Sequence, residues 1–293
     1  MNKAETWDFC APEYETLAVP VTGPCITKLL EQVSILPVTV STAQTIKAID
    51  IAGGAGFLST LLGEAYSKAG LLEKVTILSS DFSPKMVEFT ERSFASHNWP
   101  SSQFYARVLD ATNLVDVSSN HFTHAFCTFG LMMIPDASKA LNEMLRVLQP
   151  SGTVAITTWQ KVGWVPIVSE CIARAKMSST KEENSVPILQ SVRNWADVSY
   201  VQKVLEDAGF VNVQVNTFES HWSFVNHDDC VKKLTEGRWI APFLKETNMT
   251  DVQRDKYNKV VYDVLLDMVN KQPNEPFDIP MVAILAYGQK PKD

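Results

Sequence analysis

The sequence predicts a doubly wound, seven-stranded α/β sheet with a helical cap over its ligand edge. Two observations carry this prediction. From about Thr45, short β-rich runs alternate with helical patterns, the rhythm of a mostly parallel sheet covered by helices. A glycine loop, Asp50-Ile51-Ala52-Gly53-Gly54-Ala55-Gly56, follows the first of those runs and opens a helix.

The strands are expected at Ile46 to Ile51, Val75 to Ser79, Phe104 to Leu109, Thr123 to Phe129, Thr153 to Trp159, Val211 to Thr217 and Met281 to Gly288. Between them, a helix from Gly56 to Ala69 follows the glycine loop, and Ser83-Pro84 opens the next, with proline at the first helical position. Pro135 opens a third, with Ala140, Leu141, Met144, Leu145 and Leu148 on one face. Gln160 to Asn194 is a long mixed connection, after which a helix from Asp197 to Ala208 stops at Gly209. Glu219 to Pro280 is too long for a hairpin loop and carries a capping box at Thr250 and Gln253, so it is expected to be helical. This divides the chain into an N-terminal cap segment (1–44), an α/β core (45–218), a helical cap insertion (219–280) and a last core strand with its tail (281–293).

Composition narrows the function. Hydrophobic residues make up 45% of 293, enough for a full core, and the formal net charge of -7 disfavours a phosphate backbone as substrate. A small-molecule substrate is therefore expected, with no nucleic acid. The N-terminal residues lack an apolar core of signal-peptide length, and no apolar run approaches the length of a membrane span. Five widely spaced cysteines without a Cys-x-x-Cys pair point to a reduced, cytoplasmic protein with no zinc site.

The residues around the glycine loop suggest the ligand. A dinucleotide turn normally begins with glycine straight after the strand, whereas here Asp50 comes first, and a carboxylate suits a cationic amino-acid portion of a cofactor. Ala52, Gly53, Gly54 and Gly56 would let the backbone approach closely. Asp81, ending the second strand, can accept from both hydroxyls of a ribose, though alone it also reads as a helix cap. Phe82 and Met86 can pack on an adenine face, and Asp110 and Ala111 can read its edge. Thr128 and Phe129 end the fourth strand at the topological switch point, where Phe129 alone would equally be core. Tyr14, Trp159, Trp164 and Trp239 are the candidates for substrate contact, with Phe9, Trp222 and Phe243 nearby in the cap segments.

These motifs, with Asp81-Phe82-Ser83-Pro84-Lys85-Met86 and Arg146-Val147-Leu148-Gln149-Pro150-Ser151-Gly152, resemble a class I S-adenosylmethionine-dependent methyltransferase from about Thr45 to Trp159. The resemblance implies a Rossmann-like fold, S-adenosyl-L-methionine as cofactor and methyl transfer as the reaction. One position departs from it: the family usually has glycine where this chain has Ala52. His121 to Phe126, Phe129-Gly130, Pro135-Asp136-Ala137, Thr158-Trp159-Gln160 and Trp164-Val165-Pro166-Ile167 resemble, more narrowly, the fungal gliotoxin bis-thiomethyltransferase group, which tolerates alanine at that position. That implies a small secondary metabolite as acceptor, with a thiol favoured over a hydroxyl or amine. This narrower likeness thins after about Ala173.

In-line displacement needs alignment more than acid–base groups. His121 and His124 start the fourth strand, away from the ligand edge, and His97 sits at the end of an outer helix. Only His221 and His227 are placed to reach a pocket. No cluster has metal-ligand spacing, and Phe129 to Pro135 is apolar, unlike the polar-Pro-Pro-aromatic signature of nucleic-acid amino-methylation. The competing readings are a non-methylating relative that keeps the cofactor, as binding protein or pericyclic catalyst, and a nicotinamide oxidoreductase. Methyl transfer to a thiol, phenol and amine panel discriminates the first, and nicotinamide binding the second.

Overall fold

The computed structural model describes residues 3–37, 44–176, 193–245 and 247–292, without the side chains of residues 14 and 15. Its strands are β1 (Ile46–Ile51), β2 (Val75–Asp81), β3 (Phe104–Val108), β4 (Phe122–Thr128), β5 (Leu148–Val162), β6 (Val211–Phe224) and β7 (Phe277–Gln289). They form one sheet in the order β3-β2-β1-β4-β5-β7-β6. β1 to β5 are parallel, and β7 runs antiparallel to both its neighbours. The chain winds outward from β1 through β2 to β3, then returns to place β4 on the other side of β1. The ends of β1 and β4 diverge there, and open α/β sheets bind ligands in that crevice.

The helices are α1 (Ala4–Gln32), α2 (Phe57–Lys68), α3 (Pro84–Ser96), α4 (Ala137–Val147), α5 (Trp164–Lys176), α6 (Val198–Asp207), α7 (His227–Thr235), α8 (Ala241–Lys245) and α9 (Asp251–Met268). Strand alternation divides the interior. Ala48, Phe126, Ala155 and Leu285 face a core shared with α1, α2 and α3. Ile49, Ala125, Val154 and Ile284 face the opposite core, shared with α4 and α6. A third core lies beyond the sheet edge, where α5, α7 and α9 bury Val168, Cys171, Cys230, Leu234, Val261 and Val264 with Trp222 and Phe277.

β6 and β7 run further than their sequence suggests. Their pairing continues to Phe224↔Phe277, so Glu219 to Phe224 and Phe277 to Pro280 are strand. The reason lies in the alternation: Ser220, Trp222 and Phe224 are buried and His221 and Ser223 exposed, a two-residue period that the expected helical insertion hides. α1 is one helix despite Pro12, Pro20 and Pro24 within it. Its start is tied to α3, because Asp8 Oδ1 accepts from Ser83 Oγ at 2.5 Å and Lys85 N at 3.0 Å. Ser83 also caps α3 by accepting from Met86 N.

Gly163 joins β5 to α5 under the cap. A Cβ there would lie 2.1 Å from the Pro280 carbonyl oxygen, which is backbone and has to move. Gly163→Ala is expected to destabilise the protein by about 1–3 kcal/mol, read from chemical denaturation; an unchanged midpoint would show that the β5–β7 edge yields freely.

Candidate functional site

The carboxyl ends of β1 to β4 open on a cavity of about 360 Å³. Ala52 and Gly54 of the glycine loop line it, with Asp81, Phe82 and Met86 after β2. Asp110 and Ala111 after β3, and Thr128 and Phe129 after β4, complete the wall expected from sequence. Asp81 is 7% exposed and its two oxygens accept from Gly54 N at 3.0 Å and Ser83 N at 2.9 Å. Burial raises its carboxyl pKa, against the pull of those amides. Asp110 Oδ1 is engaged by Thr112, through its amide and its hydroxyl at 2.8 Å each.

Asp50, Gly53 and Gly56 do not line the cavity. Asp50 was expected to face the ligand, but it is fully buried below the loop. Its Oδ2 accepts from Ser59 Oγ at 2.8 Å, and its Oδ1 has no partner. The loop crosses so closely that a Cβ on Gly53 would sit 2.8 Å from Asp50 Oδ2 and 2.7 Å from Ser79 Oγ. Burial pushes the Asp50 carboxyl up to about 7, and the Asp81 charge adds to this against the Ser59 hydrogen bond. Gly56, at φ 81°, begins α2 where a Cβ would strike Thr90. Ala52 takes φ 53°, a left-handed conformation that favours glycine.

A second cavity of about 460 Å³ meets the first at Trp7, Phe129 and Met133. Trp159, Trp164 and Trp239 line it as expected, and so do Trp222 and Phe243. The side chain of Tyr14 lies outside those described, and Phe9 is 48% exposed under Arg238 rather than in the wall. Phe129 stacks on Trp159 with ring centres 4.3 Å apart, between the cavities. Trp239 meets Trp164 and Trp222 edge-on at 5.1 and 5.0 Å.

No histidine lines either cavity. His221 is exposed on β6, and His227 is buried against Tyr262 and Phe277, with neither ring nitrogen partnered. His124 is buried on β4, which pushes it down to about 4. Among the described residues, no group of His, Cys, Asp and Glu could hold a metal. Trp7, Lys161 and Arg193, all of which line the second cavity, were not singled out from sequence. No spacing rule connects α1 or the end of β5 to the sheet crevice; tertiary packing alone brings them there.

The family model of the ubiE/COQ5 methyltransferases matches residues 36–224. The chain belongs to that family. It is an S-adenosylmethionine-dependent methyltransferase with the Rossmann-like class I fold. This methyltransferase is 28% identical to Methyltransferase tpcH of Aspergillus fumigatus over 83% of its own length and 84% of the relative's. It is 27% identical to the acetylaranotin bis-thiomethyltransferase of Aspergillus terreus over 94% and 92%. Among solved structures, a candidate methyltransferase of Bacillus halodurans aligns at TM-score 0.52 and 14% identity, over 91% of this chain and 98% of that one. The [4+2]-cyclase SpnF aligns at TM-score 0.56 and 13% identity, over 99% and 95%. At these identities the structural likeness is one of fold. No described helix of the methyltransferase is long and apolar enough to cross a membrane.

The buried Asp50 makes the ligand-free methyltransferase pH-sensitive. Its folded pKa lies above its unfolded value, so the folded state holds the proton more tightly and loses stability as pH rises from about 4 to about 7. Asp50→Asn stays neutral throughout. Its melting temperature relative to wild type should climb across that window and level off above it; a constant difference would contradict the assignment.

Proposed function

We propose that this methyltransferase methylates a small, largely apolar acceptor, with a thiol favoured over a hydroxyl or amine. The observation that carries the reading is the second cavity: five tryptophans line it, no histidine or carboxylate among the described residues interrupts it, and it joins the first cavity at Trp7, Phe129 and Met133. The first cavity is the place for the donor and the second for the acceptor.

The residues of the first cavity fit S-adenosylmethionine. Asp81 keeps lone pairs for ribose hydroxyls beyond the two amides it already accepts from. Phe82 and Met86 offer apolar surface to an adenine, while Asp110 and Ala111 offer its edge a carboxylate and an amide. Ala52 and Gly54 bring the loop to the cavity wall with little side chain between, so its backbone is the natural partner of the amino-acid end. Asp50 supports the loop from beneath. Bound there, the cofactor supplies an electrophilic methyl group on a sulfonium.

The chain's own part is to hold the acceptor in line and keep water out. Positioning of this kind contributes roughly 7–11 kcal/mol in favourable cases. The stacked Phe129 and Trp159 stand where the cavities join and leave an apolar path between them. With no histidine, and no carboxylate among the described residues, on the wall, the acceptor has to be nucleophilic near neutral pH. A thiol, with a pKa near 8.5, is a few per cent thiolate there. The likeness to a bis-thiomethyltransferase along most of the chain supports the same choice. A largely apolar, aromatic-lined cavity does not suit a nucleic acid, and five free, buried cysteines suit a reducing cytoplasm.

Asp81→Ala should weaken S-adenosylhomocysteine binding about tenfold or more, the worth of a charge-assisted hydrogen bond, and lower the melting temperature as well, because the Gly54 and Ser83 amides lose their acceptor. Calorimetry showing wild-type affinity would remove Asp81 from the site. Transfer of a labelled methyl group to an aryl thiol should survive EDTA and exceed transfer to the matching phenol at neutral pH. Loss of activity on chelation, with rescue by magnesium, would overturn the mechanism.

A further inference from the structure

The charges on the two cavity walls are segregated by sign. Asp81, Asp110 and Asp136 line the first cavity, which has no cationic residue among those described. Lys161 and Arg193 line the second, which has no carboxylate among the described residues. The chain as a whole carries a net charge of -7, so an all-cationic charge set on one wall runs against its average. We propose that Lys161 and Arg193 are specificity-determining residues that select an acceptor whose apolar aromatic body ends in a carboxylate. The proposal rests on the acceptor reading of the second cavity and names the substrate class.

Position decides which end of the acceptor is charged. The cavities meet at Trp7, Phe129 and Met133, and neither cation belongs to that junction. Both Lys161 and Arg193 are exposed, which puts them at the mouth, away from the donor. The nucleophilic end of the acceptor therefore points inward and the carboxylate outward. Trp159, Trp164, Trp222 and Trp239 supply flat apolar surface for the ring system between them.

Neighbouring pieces of chain deliver the two cations. β5 pairs Trp159 with Ala283 and Lys161 with Val282, so Gln160 is an extra residue in the strand. Such irregularities re-aim side chains beside binding sites, and Gln160, Lys161 and Val162 all line the cavity. Arg193 opens a short 3-10 turn, Arg193–Ala196, that is fastened to β5 by Thr158 Oγ1 donating to Trp195 O at 3.2 Å.

Their charges are also available. Arg92, Arg107, Arg146, Arg174 and Arg238 each pair with an acid. Among the described residues, neither Arg193 nor Lys161 has such a partner. Two cations without an acidic partner among the described residues, at the rim of an apolar cavity, match the charge of a carboxylate.

The test uses a mercaptonaphthoate, with thiol and carboxylate at opposite ends of the ring system, and its neutral carboxamide. Binding of each is measured by calorimetry to the full chain saturated with S-adenosylhomocysteine, at low salt. Wild type should prefer the carboxylate about tenfold or more, and added salt should shrink the preference. In the Lys161→Ala, Arg193→Ala double variant the preference should fall to near unity, with carboxamide and S-adenosylhomocysteine affinities unchanged. Equal binding by wild type, a preference that survives in the double variant, or no binding of the carboxylate overturns the proposal. A preference for the carboxylate without methyl transfer to its thiol supports the charge selection and defeats the thiol reading.

Discussion

The glycine loop after β1 folds tightly over the Asp50 carboxyl, and the placement of both cavities follows from that packing. Gly53 fits against Asp50 and Ser79 only because it has no side chain. The loop is drawn to β2 by Gly53 N donating to Ser80 O and Gly54 N to Asp81 Oδ2. A buried, half-satisfied carboxyl is costly, and only one of its oxygens finds a partner. The same contacts place Ala52 against the turn after β4, where a Cβ on Gly130 would lie 2.8 Å from the Ala52 methyl. With Gly130 held there, Phe129 adopts a left-handed backbone, donates its amide to Thr157 Oγ1, and aims its ring at Trp159. The line from Asp50 to the Phe129–Trp159 stack is thus one continuous set of close contacts.

Ala52 explains its own exception. Its φ of 53° is a conformation that glycine adopts freely and alanine at a cost of about 1–2 kcal/mol. The methyl is retained in contact with Gly130, so packing offsets part of that strain.

α1 closes the site from the other side. It crosses from α3, where Asp8 caps the helix, to the cap, where Arg238 N donates to Glu13 and Ser220 Oγ to Val21 O. Trp7 reaches both cavities as a result, and Cys10, Leu17 and Val21 join the wall of the second. The second cavity is consequently assembled from the first helix, the end of β5, the start of β7 and the cap segment.

The sheet and the donor edge were legible in sequence because their determinants are local. Alternation along β1 to β5, a proline-led helix at Ser83, and acids placed at successive strand ends each act within a few residues of chain. Asp50 shows the limit: a strand-end acid reads the same whether it faces a ligand or lies under a loop, and only the packing of Gly53 against it decided for burial. The extended ends of β6 and β7 were hidden because Glu219 to Phe224 and Phe277 to Pro280 pair with each other across more than fifty intervening residues. Sequence by itself determined the parallel core, the glycine loop and the residues Asp81, Phe82, Met86, Asp110 and Phe129 at its edge. Tertiary structure alone decided that Trp7, Lys161 and Arg193 share a wall with Trp159 and Trp239, because a cavity between distant segments depends on how helices settle on a sheet, and no local spacing encodes that.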